Sequence, residues 1–450
     1  MVEGNVVMPV VRVAILDAFG NRLPTGVVSM ALGASPWPNA TLAGTLNRSV
    51  VNGVATFNNL RVDRPGAGYS LEATLGVLAA RSRPFTAKLT FTSVSAGRSL
   101  SASGDHTCGV TSGNALYCWG ANGQGQLGAA TGLARLDSVP LLVSVTLSFA
   151  SVSAGEEYTC GVTTAGAAYC WGDNQYGQLG DGTTTDRSTP VLVSGGLSFT
   201  SVSAGLNHTC AVSTGGAAYC WGKNALGQLG DGSATDRLLP VSVSGGLAFD
   251  SVSAGGDHTC GVTTGGVAYC WGLNASGQLG DGTVPPANSA IPTPVSGGLS
   301  FALVHAGFDH TCGVTTGPGG DAYCWGQNTF GQLGDGTALT KTSPVPVSGA
   351  LSFVSVSTGG WHTCGVTAGA ELFCWGRNLD GQFGTGTTDN GRTPTNVAAG
   401  WIPLATGGAH TCGLNTSLVG VYCSGSNVGG QLGIGQLVIH RSVLPLRVVQ

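Results

Sequence analysis

One phrase recurs seven times in this chain, and each copy carries one pair of cysteines. A full copy reads SVSAGEEYTCGVTTAGAAYCWGDNQYGQLGDGTTTDRSTPVLVSGG, starting at Ser151. The first cysteine of each pair is Cys108, Cys160, Cys210, Cys260, Cys312, Cys364 and Cys412, so the step is 48 to 52 residues. A period of that length belongs to radial or linear repeat folds. One unit cannot bury its own apolar face and must stack on its neighbour. The copies are numbered units one to seven in chain order.

Composition narrows the partners. Charged residues are only 9% of the chain, the net charge is −4, and Lys88, Lys223 and Lys341 are the only lysines. Nucleic-acid affinity comes largely from neutralised phosphates, and no basic run is available for it. No stretch approaches the roughly 18 apolar residues of a membrane span. Gly is abundant, at 76 residues. Together with frequent Ser and Thr this points to short strands joined by tight turns, an all-β chain. The opening MVEGNVVMPVVRVAIL reads as strand rather than as a secretion leader, so the native protein is expected to extend upstream.

The cysteines pair within units: Cys108 with Cys118, Cys160 with Cys170, Cys210 with Cys220, Cys260 with Cys270, Cys312 with Cys324, Cys364 with Cys374 and Cys412 with Cys423. Each pair brackets a hairpin, HTCGV, a Gly-containing turn, then AYCWG. If Cys160 faces Cys170, then Gly161 faces Tyr169 and Thr159 faces Trp171. A large ring opposite a small residue is a sensible cross-strand pair. Directly opposed cysteines in a non-hydrogen-bonded pair come close enough for a disulfide. Seven such bridges would require an oxidising compartment. A rival reading is metal. His106, His208, His258, His310, His362 and His410 each precede a cysteine by two residues, and on a strand such residues share a face. Unit two, however, has Tyr158 in that place, and no unit offers an obvious fourth ligand. Buried free thiols are the third reading. The histidine itself is expected to be a packed imidazole bonded to a neighbouring turn.

The HTC phrase, CWG-x-N-x-x-GQLG-x-G and a closing P-V-x-V resemble the regulator of chromosome condensation repeat. The tail motif stands at Gly125–Gly128, Gly177–Gly180, Gly227–Gly230, Gly277–Gly280, Gly331–Gly334 and Gly430–Gly433, with Phe383 replacing Leu in unit six. Unit seven reads CSG at Cys423–Gly425 and lacks the Trp. The resemblance covers residues 93–450 and implies a seven-bladed β-propeller; no cofactor is expected. The CWG tryptophans are read as inter-blade packing. The last strand, around Val443–Val449, is expected to pair with the first blade and close the ring.

Residues 1–90 lack the repeat. DAFGN at Asp17–Asn21, VNGVATF at Val51–Phe57 and GYSLEA from Gly68 resemble bacterial immunoglobulin-like domains of the invasin and intimin type. That resemblance implies an N-terminal β-sandwich of the kind stacked as stalks at cell surfaces.

No nucleophile elbow, HExxH, phosphate loop or dinucleotide fingerprint is present, so no catalytic residue is assigned. GDGTTTD at Gly180–Asp186 faintly resembles a calcium loop, but Asp-Gly more simply makes turns. What differs between copies is more informative. The loop before each HTC-type position carries Asp105, Glu156, Glu157, Asp257, Phe308, Asp309 and Trp361. In a propeller these loops ring one face. Acidic groups mixed with aromatics suit protein recognition. A second variable set, Tyr176, Leu226, Phe330 and Asp380, precedes the tail motif. The expected role is a non-catalytic, secreted or cell-surface platform that binds a protein or glycan at the cell exterior. Alternatives are a carbohydrate or cell-wall module, with Trp361 and Tyr176 stacking on sugar, a structural part of an envelope or appendage assembly, and an enzyme using the acidic face.

Overall fold

The computed structural model describes residues 2–3, 10–17, 19–35, 40–62, 66–99, 104–129, 136–144, 146–284, 287–317, 319–399, 401–415, 420–435 and 441–448. Among them the structure is all strand and turn. Each unit is one four-stranded antiparallel sheet in simple chain order. Unit four shows the pattern, with strands Phe249–Ala254, His258–Thr263, Ala268–Gly272 and Ser289–Pro294. Seven such sheets follow one another, from Phe91 to Arg447.

The hairpin register agrees with the sequence reading. Cys160 faces Cys170, Gly161 faces Tyr169 and Thr159 faces Trp171. All seven cysteine pairs are disulfide-bonded, with Cα separations of 4.0–4.2 Å. The reason for the Gly differs from the one expected. A Cβ on Gly161 would fall 2.8 Å from Cδ1 of Phe149, on the unit's first strand. The ring that excludes a side chain is therefore Phe149, not Tyr169.

Adjacent units are joined by one repeated seam. Trp221 of unit three is fully buried and its Nε1–H donates to the carbonyl of Gln178 of unit two at 2.9 Å. Thr209 donates its hydroxyl to the same carbonyl at 2.8 Å. The tail motif of one unit thus caps the tryptophan of the next, as it also does at Trp119, Trp171 and Trp325, whereas Nε1 of Trp271 and of Trp375 has no hydrogen-bond partner among the described residues. Gly180 completes the cap at φ +68°, with a hypothetical Cβ only 2.8 Å from Trp221 Nε1. Left-handed backbone and zero space together demand glycine there. The histidine works across the same seam. Thr259 Oγ1 gives its hydrogen to Gln228 O at 2.9 Å, so it must accept from Nε2–H of His208 at 2.9 Å. The partner of this imidazole is a threonine hydroxyl on the neighbouring strand rather than a turn.

Unit seven packs on unit one, but not by exchange of a strand. Arg441–Arg447 pairs with Gly420–Ser426 inside unit seven. This corrects the expectation for Val443–Val449, of which Val449 lies outside the described residues. The closing seam is made by the same donors as the seam between units two and three. Thr107 Oγ1 and Trp119 Nε1 both donate to Gln431 O at 3.0 Å. No strand needs to swap when the seam chemistry itself repeats.

Ahead of the repeats, Val11–Ala14 pairs with Val54–Phe57, and Val27–Ala34 lies between Asn47–Ser49 and Gly66–Leu75. Val28, Met30, Ala55, Phe57, Leu60 and Leu71 form their shared core. Asn52 and Gly53 take φ of 51° and 74°, the tight turn that an Asn-Gly pair favours. Asp17 Oδ1 accepts the backbone N–H groups of Phe19 and Asn21, which makes DAFGN a turn.

Candidate binding face

The loops between first and second strands lie side by side around the ring. Arg98 N–H donates to Gly155 O at 3.1 Å, Leu206 to Gly255 at 3.2 Å, Gly256 to Gly307 at 2.9 Å, Gly360 to Gly407 at 3.1 Å and Gly408 to Gly97 at 3.0 Å. The last bond spans units seven and one. A second position joins each loop. The residue after CWG donates its N–H to the residue before the HTC-type histidine, as in Lys223 to Asn207 and Arg377 to Trp361, both 2.9 Å. Every unit therefore brings three loop positions together on one side of the ring.

Two of the expected face residues are not on the surface. Asp105 is fully buried. Its carboxyl group accepts from Ser99 N–H at 2.8 Å and from Ala409 N–H at 3.3 Å, and stands 3.2 Å from His410 Nδ1. It is a fastener of the closing seam. Phe308 is also buried, its ring edge-on to Trp361 at 5.1 Å. Both were expected outside because the loop that carries them is outside; ring closure and the neighbouring unit cover them.

The others remain half-buried at the rim. Glu156 and Glu157 stand on unit two. Asp257 accepts from Lys223 Nζ and Gln228 Nε2, both at 3.0 Å. Asp309 meets Gln278 Nε2 at 3.3 Å, and burial, then the nearby Asp257 charge, raises its pKa above the usual carboxylate value. Trp361 carries the Arg377 guanidinium 5.6 Å from its ring centre, and Arg377 pairs with Asp380 at 3.1 Å. Lys223 stands 5.8 Å from the Tyr176 ring. Lys223 and Arg377 thus tie the two variable sets together. The sequence reading missed them, although the residue after CWG changes in every copy.

The histidines and the GDG loops have other work. With Nε2–H donating to threonine, burial drives the pKa of His106, His208, His258, His310 and His362 down to about 3, so these imidazoles are neutral. In the loop at Gly180–Asp186 the carbonyls of Thr183 and Thr185 converge on Nδ2 of Asn174, at 3.1 and 3.0 Å. Asn174 Oδ1 accepts from Leu179 N–H at 3.0 Å, which fixes the amide's orientation. An amide stands where a cation would have to sit.

The repeat signature described as the regulator of chromosome condensation repeat matches residues 114–162, 165–212, 215–262, 265–314, 319–366 and 370–414. The chain belongs to this family. Among solved structures, Prp20p of Saccharomyces cerevisiae aligns with a TM-score of 0.61 at 21% identity, over 70% of this chain and 80% of that one. Human WBSCR16 aligns at 0.63 and 19% identity, over 86% and 97%. At those identities the likeness is one of fold, a β-propeller of this repeat family. Curated relatives match short stretches. A probable E3 ubiquitin-protein ligase, HERC4 of Homo sapiens, is 36% identical over 83 residues, 18% of this chain and 8% of the relative. The ultraviolet-B receptor UVR8 of Arabidopsis thaliana is 38% identical over 87 residues, 19% and 20%. The chain spans less than a quarter of either relative.

Proposed function

We propose that this chain is an exported protein in which an immunoglobulin-like domain, residues 1–90, precedes a seven-bladed propeller, residues 93–450, and that the propeller binds another protein without catalysis. The observation that carries this reading is the ring of hydrogen-bonded loops, which holds Glu156, Glu157, Asp257, Asp309 and Trp361 on one face over a backbone that does not vary. Such a face loses little conformational freedom on binding. The seven disulfides are compatible with an extracellular setting, and no helix among the described residues is long and apolar enough to cross a membrane. Prp20p, which shares the fold, binds Gsp1p and histones, so the fold serves protein recognition in that protein.

Two rivals are weaker. A glycan would stack on Trp361, but the Arg377 guanidinium already lies against that ring. An enzyme would need free acidic groups, yet Asp105 is sealed in a seam and Asp257 is held by Lys223. The test is capture on the immobilised full chain from a cell-exterior fraction, followed by competition. A protein partner that is displaced by excess soluble chain, resists glycan competitors and is lost with Trp361→Ala supports the reading. Release by glycans replaces it with the carbohydrate alternative.

A further inference from the structure

The first strands of all seven units line an axial cavity of about 350 Å³. Its wall is polar in a regular way. Ser95, Ser153, Ser203 and Ser253 each accept, through Oγ, the backbone N–H of Ala154, Ala204, Ala254 and Ala306 in the next unit, at 2.9–3.0 Å. An oxygen that accepts in this way keeps its own hydrogen to donate. Among the described residues lining the cavity there is no Asp or Glu.

Two nitrogen-bearing side chains break the pattern, and they meet. His305 stands in unit five where units one to four and six have Ser and unit seven has Ala405. Its Nδ1 accepts Thr358 N–H at 3.1 Å. Arg98 stands in unit one at the loop position held by Glu156, Leu206 and Gly256 in units two to four. Its side chain is nine-tenths buried and lines the cavity. Nη1 donates to the carbonyl oxygens of Ala254, at 3.3 Å, and Ala306. Nη2 lies 3.5 Å from each ring nitrogen of His305, beyond good hydrogen-bond length. Among the described residues Arg98 makes no ion pair.

A guanidinium nine-tenths buried without a counter-charge is expensive. Burial lowers its pKa to about 10, which still leaves it charged at neutral pH. Its Nη2 hydrogens and the serine hydroxyls are donors that share one space. A cavity with fixed donors, one positive charge and no described carboxylate is complementary to an anion. The planar fork of arginine selects oxyanions, carboxylate or phosphate, over halides. We propose that the axial cavity binds one small oxyanion on Arg98 and the inner-strand serines. This is independent of the loop face and of its partner.

The test is isothermal titration and thermal unfolding of the full chain with phosphate, acetate and citrate, each at ionic strength matched with chloride. The expected result is one site per chain and a raised unfolding temperature with an oxyanion but not with chloride. The tighter of the phosphate and carboxylate arms names the source. Arg98→Met should weaken binding at least about tenfold, and Arg98→Lys, which keeps the charge but not the fork, should weaken it as well. If Arg98→Met does not fold, Arg98→Lys and the wild-type titration decide. Absence of heat and of any temperature shift in the wild type overturns the proposal. So does an equal response to chloride, or binding that survives in Arg98→Met.

Discussion

At the seam between units three and four, His208 donates Nε2–H to Thr259, and its buried Nδ1 has no partner among the described residues. At the seam between units seven and one, His410 reaches Thr107 in the same way at 2.9 Å, but its Nδ1 faces Asp105. The closing seam also binds two backbone N–H groups through that carboxyl group. Unit seven lacks the CWG tryptophan, and Ser424 stands there, donating to Gln382 O at 3.2 Å. An ordinary seam is thus a large buried ring plus a bare imidazole nitrogen. The units around the closure have lost a ring on one side and gained a polar fastener on the other. The difference teaches that closure relies on a specific buried network rather than on an added strand.

Reduction tests what all seven units share. Each disulfide closes a short loop, worth roughly 2–3 kcal/mol in the chain-entropy model. Seven of them, about 14–21 kcal/mol together, match or exceed the usual total stability of a domain, about 5–15 kcal/mol. Complete reduction should therefore unfold the repeats, seen as loss of the near-ultraviolet tryptophan circular dichroism. Alkylation without reduction should leave the intact mass unlabelled, and alkylation after reduction should add fourteen labels.

Acid tests the ordinary seams. Five histidines have folded pKa values near 3, against 6.5 in the unfolded chain. The unfolded state therefore binds more protons below pH 6.5. Their contribution is fully present above that pH and is lost as pH falls towards about 3. Each costs about 1.4 kcal/mol per pH unit across that window. The urea midpoint should fall steeply between pH 6 and pH 4, roughly in proportion to the number of neutral seam histidines. A flat profile would mean that these imidazoles are not buried as described.

Single substitutions sharpen the comparison. Asp105→Ala strands two backbone N–H groups, and should cost about 3 kcal/mol or more. Thr259→Val removes one acceptor and one donor from an ordinary seam and should cost less, about 2 kcal/mol. Urea midpoints of the two variants give the ranking; the reverse order would make the closing seam no more specific than the rest. Trp361→Ala should be smallest, about 1 kcal/mol, because the half-exposed ring loses mainly its edge contact with Phe308.

Much of this was legible in the sequence because it is local. The hairpin register follows from cysteine spacing, and the recurring tryptophans must do the same job in each copy. The burial of Asp105 was not legible, since it depends on a contact with His410 made only when the ring closes. Phe308 is covered by Trp361 of the following unit, a contact that no single copy reveals. Lys223 and Arg377 were overlooked because only the fold brings the residue after CWG beside the loop before HTC. Arg98 and His305 each looked like one more departure from the repeat; the axial cavity brings them together.

The central claim is that the seams hold the fold while the variable rim does the binding. Partner capture by a Glu157→Lys, Asp257→Lys, Trp361→Ala chain, at matched folded fraction, tests it most directly. The account predicts that capture is lost although the triple variant unfolds within about 1–2 kcal/mol of wild type. Undiminished capture by that variant would contradict it and place the binding surface elsewhere.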